Sequence, residues 1–293
     1  MTELESMQLP DGRTLEFCRS GPEEAQTLLV FHVGSPSAAV DFPNVTSAAA
    51  SRGVRTVTYS RAGHAGSTRK PGRIAADEAA DTAALADRLG ASTFLVAGWS
   101  GGGPGALACA ALLPDRVRGC TVLAGAAPPQ EVGPAWFEWW GEDDREELRA
   151  FAAGETEPYR SAYEEMAASF ADLTGPGIAA WPGTPPADVR AFERSPEVGD
   201  ALADSIRRGV GSGVEGWMDD AFAQTHPWGF RVGDIHVPVT IRHGELDHLV
   251  RVDHGRWLAA NVPDARAEIL PDHGHISVVV PFDDVIDGLL ASA

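Results

Sequence analysis

The chain has 293 residues and a mass of 30.9 kDa, with 42 Asp and Glu against 23 Lys and Arg, a net charge of -19. With 44% apolar residues it is long enough to bury a sizeable core, and a surface this negative repels phosphate backbones and anionic lipid. Nucleic-acid binding and peripheral membrane attachment are thereby excluded as leading functions, and the expected ligand is a small, neutral or cationic molecule.

The elements alternate from the start. Met7-Gln8-Leu9 and Thr14 to Phe17 flank Asp11-Gly12, a hairpin turn pair. A buried strand is predicted at Thr27 to His32, a helix at Val45 to Arg52 and a strand at Val54 to Tyr59. After a Gly-rich loop come a helix over Ile74 to Leu89, a strand at Thr93 to Ala97, a helix at Gly101 to Leu113 and a strand at Val117 to Leu123. Strands that are apolar throughout, separated by helices, predict a parallel sheet covered on both faces. The pattern lapses over 128–230, then resumes with a strand at Val237 to Arg242, a helix at His254 to Asn261, a strand at Ala267 to Leu270 and a helix at Val278 to Leu290.

The lapse carries most of the charge. Residues 128–230 hold 20 acids and 7 bases, together with six of the eight tryptophans, so this stretch is packed rather than a solvated charge run. The expected organisation is a core of 1–127 and 231–293 and a mostly helical cap over 128–230. Three cysteines, Cys18, Cys109 and Cys120, lack CxxC spacing and cannot all pair within the chain. With the acidic start Met1-Thr2-Glu3-Leu4-Glu5 and no apolar leader, they predict a cytoplasmic setting. Glycines interrupt the apolar stretch Thr93 to Leu113, so it is not a membrane span. The sequence leaves the oligomeric state open.

Gly98-Trp99-Ser100-Gly101-Gly102 fits G-x-S-x-G between a predicted strand and a predicted helix, the context a nucleophile elbow requires. The same segment also fits a dinucleotide fingerprint through Gly101, Gly103 and Ala106, but the next strand ends in Leu123 to Ala127 with no acid for a ribose. No other cofactor motif and no metal-ligand spacing is visible. A serine nucleophile needs a base and an orienting acid. Asp247 follows one late predicted strand, with Glu245 the second choice, and His275 follows another, with His273 the second choice. Asp272 is expected to cap the last helix or stay solvated. The loop His32-Val33-Gly34-Ser35-Pro36 is the place for a second oxyanion donor.

Together Gly98 to Gly102, Gly34-Ser35-Pro36, His243-Gly244 with Asp247, and Gly274-His275 resemble the α/β-hydrolase superfamily over nearly the whole chain. The stretch Tyr59 to Ser67 is similar to the arginine-glycine loop of its capped proline-iminopeptidase and esterase branch. The resemblance implies a doubly wound, mostly parallel eight-stranded sheet with a helical cap. It also implies Ser100 as nucleophile, Asp247 as acid, His275 as base, and the N–H groups of Ser35 and Gly101 as oxyanion hole. Val33 stands where His is usual, Ser60 where Asp is common, and Trp99 precedes the serine instead of following it. These departures weaken the peptidase resemblance more than the hydrolase one. Serine at position 100 argues against relatives that attack through a carboxylate.

The expected activity is a cofactor-free serine hydrolase acting on an ester or amide, with Trp99, Trp136, Trp139 and Trp140 as substrate-contacting aromatics. An aminopeptidase is the main alternative, with Glu131, Glu138 and Glu142 holding a substrate ammonium, although an amphipathic helix also explains acids interleaved with tryptophans. A non-catalytic receptor use of the fold, or another reaction on the same triad, is the remaining reading.

Overall fold

The computed structural model describes residues 4–292. Met1 to Glu3, part of the start read as lacking a leader, lie outside the described residues. β1 (Leu4–Gln8) and β2 (Thr14–Ser20) form an antiparallel hairpin across a turn in which Gly12 adopts φ +86. β3 (Thr27–His32), α1 (Pro43–Ala50), β4 (Val54–Tyr59), α2 (Asp77–Arg88), β5 (Phe94–Trp99), α3 (Gly103–Leu112) and β6 (Val117–Leu123) follow. Eight helices then intervene: α4 (Pro129–Val132), α5 (Ala135–Glu138), α6 (Glu142–Ala152), α7 (Arg160–Ser169), α8 (Gly175–Ala179), α9 (Pro186–Arg194), α10 (Pro196–Val210) and α11 (Glu215–Thr225). The chain closes with β7 (Val239–Gly244), α12 (Val252–Asn261), β8 (Arg266–Leu270) and α13 (Asp283–Ser292). Among the described residues no helix is long and apolar enough to cross a membrane.

The eight strands form one sheet in the order β1-β2-β4-β3-β5-β6-β7-β8. β2 pairs antiparallel with β4, and every pair from β4–β3 to β7–β8 is parallel. Side chains alternate across a strand, so β3 sends Leu28 and Val30 to one face and Leu29 and Phe31 to the other. The first face packs against Leu85 of α2, Leu107 of α3 and Leu258 of α12. The second packs against Val45 of α1 and Ile286 of α13, and Leu202 and Ile206 of α10 extend it. The inserted helices are thus anchored in the same core as the sheet. Ser205 on α10 closes a two-way bond with Ala38, its carbonyl accepting from Ala38 N and its hydroxyl donating to Ala38 O.

Several boundaries shift from the sequence expectation, and three of the shifts have local reasons. α2 begins at Asp77 instead of Ile74, because the Asp77 carboxylate accepts the Ile74 N–H and makes residues 74–76 a capping turn. β7 starts after Pro238, which has no N–H to give to the sheet. The last helix begins at Asp283 rather than Val278, since Pro281 disfavours helical backbone at the residue before it. Ile276, Val278, Val279, Val280 and Phe282 instead fill the second core face.

Phe31 sits at the centre of that face, fully buried and edge-on to Phe42 and Phe282 at 5.7 and 5.9 Å between ring centroids. Phe31→Ala should cost roughly 3–5 kcal/mol of stability, as core aromatic truncations do, read as a lowered urea midpoint at unchanged slope, with Phe31→Leu losing less.

Candidate active site

β5 ends at Trp99, and the chain passes through the single 3-10 turn Ser100–Gly102 into α3. The turn holds Ser100 at φ +55, a left-handed conformation that a residue with a side chain adopts at a cost. It also requires backbone to touch backbone. A Cβ on Gly98 would stand 2.4 Å from Gly102 O, and one on Gly102 would stand 2.2 Å from His32 O, so both positions exclude a side chain. The end of β3 is thereby pressed against the turn. A Cβ on Gly34 would lie 3.2 Å from Ser100 Cβ, and one on Gly101 would lie 3.1 Å from Ser35 N, so Gly34 and Ser35 lie directly against Ser100 and Gly101.

Asp247 and His275 come from the loops after β7 and β8. His275 Nδ1 donates to Asp247 Oδ2 at 2.7 Å, since a carboxylate offers only acceptors. The Asp247 Oδ1 atom accepts from Leu249 N and Val250 N at 2.9 Å each. The acid is therefore fixed by its own loop. Burial works against the Asp247 charge, but His275 and His243 outweigh it and hold the carboxyl well below the carboxylate range. Burial likewise works against a His275 cation, and the Asp247 charge outweighs it, so its pKa is raised above the ordinary 6.5. Trp99 Nε1 donates to His275 O at 3.0 Å. From α9, Asp188 accepts from Ser277 N and Ser277 Oγ at 2.8 and 2.7 Å and so pins the loop that carries His275.

Of the second choices, Glu245 pairs on the surface with Arg256 and His273 lies outside the cavity lining. Asp272 is exposed.

Ser100 and His275 open onto one cavity of about 400 Å³ between the sheet's carboxyl edge and the inserted helices. Gly34, Ser35, Gly101 and Trp99 also line it, and the inserted segment contributes Trp140, Tyr163, Phe170, Trp181 and Trp217. Not all the expected aromatics reach it. Trp136 is fully buried, packs on Phe137 and Trp140, and donates Nε1 to Ala127 O at 2.7 Å. Trp139 packs against the first core face and stands edge-on to His254 at 5.1 Å. Trp136 on α5 and Trp139 just after it both turn toward His254, and Trp140 lines the cavity. The expected ammonium acids are also elsewhere. Glu131 caps Val232 N, Glu138 pairs with Arg145 and Arg149, and Glu142 lies outside the lining. The cavity acids of α6 are instead Asp144 and Glu147, the latter accepting from Tyr163 Oη at 2.6 Å.

A second group escaped sequence reasoning. Arg61, buried in the loop after β4, donates through Nη1 to Val33 O and through Nη2 to Gly34 O, the latter at 2.8 Å. Its Nε and Nη2 also reach Asp220 of α11 at 3.0 and 2.7 Å. Asp220 further accepts from Arg73, from His64 Nε2 at 3.1 Å and from Ser35 Oγ. Burial opposes the Asp220 charge, yet the two guanidinium groups and His64 hold its carboxyl well below the usual range. Arg61 lay within the noted stretch Tyr59 to Ser67, but Asp219-Asp220 carries no local signal. The thiols of Cys18 and Cys109 are buried and their pKa values pushed up to about 12, so neither supplies a thiolate.

A family model described as the alpha/beta hydrolase fold matches residues 27–281. Comparison with curated proteins gives no significant match. Among solved structures, a bromoperoxidase from Bacillus anthracis superposes with a TM-score of 0.70 at 17% identity, covering 99% of this chain and 100% of that one. The enol-lactonase from Burkholderia xenovorans LB400 gives 0.69 at 20% identity, over 98% and 99% of the two chains. An esterase from Exiguobacterium antarcticum gives 0.65 at 17% identity, over 99% and 98%. These likenesses bear on the fold.

Because His275 binds its proton more tightly when folded, its contribution to stability is complete below pH 6.5 and is lost as pH rises through its folded pKa. Urea melts from pH 6 to 9 should show the wild type losing stability relative to His275→Gln as pH rises; parallel curves would contradict the raised pKa.

Proposed function

The chain belongs to the α/β-hydrolase fold family, and on that premise we propose that it is a serine hydrolase cleaving an ester or amide of a small molecule through an acyl-enzyme. The observation that carries this reading is a single cavity lined by the left-handed Ser100, by Gly34 and Ser35 beside it, and by His275, which Asp247 holds from behind. With Nδ1 protonated toward Asp247, His275 keeps Nε2 as the basic nitrogen. As Ser100 Oγ attacks the carbonyl, His275 takes its proton, and the N–H groups of Ser35 and Gly101 receive the oxyanion. The imidazolium, stabilised by Asp247, then protonates the leaving group. Water repeats the sequence on the acyl-enzyme and restores Ser100. In this scheme residues 128–230 act as the cap.

A cavity of about 400 Å³ with aromatic walls favours a compact, largely apolar substrate. The ester-directed reading is in keeping with the names of two similar folds, an esterase and an enol-lactonase. Asp144 and Glu147 on the lining favour a second reading, in which they attract a substrate ammonium and the enzyme is an aminopeptidase. Aminoacyl arylamides and their N-acetylated forms separate the two: a loss of turnover on acetylation supports the ammonium role, and equal turnover removes it.

Ser100→Ala should abolish both p-nitrophenyl ester turnover and labelling by a fluorophosphonate probe; residual labelling elsewhere with undiminished turnover would refute the nucleophile. The pH–rate profile of the wild type should rise with a midpoint above 6.5, since the base must be neutral to act.

A further inference from the structure

We propose that Asp220, carried by α11, is a positioning residue for the oxyanion hole, acting on the Gly34–Ser35 peptide through Arg61 and through the Ser35 hydroxyl. The inference rests on the reading of Ser35 N–H as an oxyanion donor.

That peptide is tied at both ends. Its carbonyl, Gly34 O, accepts from Arg61 Nη2 at 2.8 Å, and the side chain of the residue bearing its N–H donates Oγ to Asp220. Peptide resonance links carbonyl oxygen to amide nitrogen, so a cation bonded to the oxygen withdraws charge from the nitrogen and strengthens the N–H as a donor. The guanidinium of Arg61 supplies that cation from a site only 2% exposed, where water screens little. Asp220 sets its orientation. Nε and Nη2 engage the two carboxylate oxygens as a fork, so one Nη2 hydrogen goes to Asp220 and the other to Gly34 O. Nη1 holds the neighbouring Val33 carbonyl. Without the carboxylate, a buried guanidinium loses its fixed partner, and the Ser35 hydroxyl loses its anchor at the same time.

A residue that merely fastened the inserted helices to the sheet would alter stability or substrate binding. A residue that positions the donor alters the transition state. The test is p-nitrophenyl acetate kinetics, together with the affinity of an aryl trifluoromethyl ketone whose serine adduct carries an oxyanion, on wild type, Asp220→Asn, Arg61→Lys and Ser35→Ala. Asp220→Asn should lower kcat by about 10-fold to 100-fold with KM within twofold, and weaken the ketone by a matching factor; loss of a whole oxyanion donor costs about 100-fold to 1000-fold. Ser35→Ala, which keeps the Arg61 route, should lose less than Asp220→Asn. Unchanged kcat in folded Asp220→Asn, or a rise in KM alone, overturns the proposal. If Asp220→Asn does not fold, Arg61→Lys decides, since it keeps a cation but loses the fork: a fall in kcat at constant KM supports the proposal, and an unchanged kcat overturns it. Absence of fluorophosphonate labelling at Ser100 in the wild type would instead overturn the serine-hydrolase reading beneath it.

Discussion

The architecture of the site depends on one steric constraint, the direct contact of backbone with backbone where β5 turns into α3. The turn holds Ser100 in a left-handed conformation, and it closes only because Gly98 and Gly102 present no side chain to Gly102 O and His32 O. That contact brings β3 and β5, neighbours in the sheet, into register at the level where the strands end. The loop after β3 then has nowhere to go but over Ser100. The strain at one residue is held by the surrounding close packing, with the buried strands β3 and β5 on one side and the fully buried start of α3 on the other.

Around this point, charges are arranged by depth. Asp247 is held by backbone N–H groups of its own loop and pairs with His275, while Arg61, Arg73, His64 and Asp220 form a buried cluster beside the Gly34–Ser35 loop, with Arg73 and Asp220 reaching the cavity. Buried charges persist only when paired and hydrogen-bonded, and each of these has at least one charged or carbonyl partner. The acidity of the chain as a whole belongs to another level. Most of the net charge of -19 lies in residues 128–230, where Glu138, Glu157 and Asp204 pair with arginines at the surface.

The sheet was legible in the sequence because its strands are short, apolar and bounded by turn residues; β3, β4 and β6 have the bounds that periodicity predicts. Ser100, Asp247 and His275 were legible as candidates because each sits at the end of a recognisable strand. What escaped had no local signature. Asp220 is one of two adjacent acids on a helix and meets Arg61 across 159 positions of chain. The inward turn of Trp136 and Trp139 depends on where the short helix α5 settles against His254 and the core, which residue order alone does not specify.

The chain leaves the sheet at the end of β6 and returns to it at β7, and those two strands are adjacent and paired from Cys120 with Val239 to Leu123 with Arg242. Those strands are parallel, so the crossover runs from the sheet's carboxyl edge back to its amino edge, but Glu131 at the start of the inserted segment accepts from Val232 N just past its end, so the stretch between them can be replaced without separating any strand from its neighbour. Such a segment can diverge, lengthen or be exchanged between relatives as a unit, while the sheet is inherited unchanged. The fork between Asp220 and Arg61 sets the limit on that freedom: a grafted segment that brings no carboxylate to that spot leaves a buried guanidinium without its counter-charge.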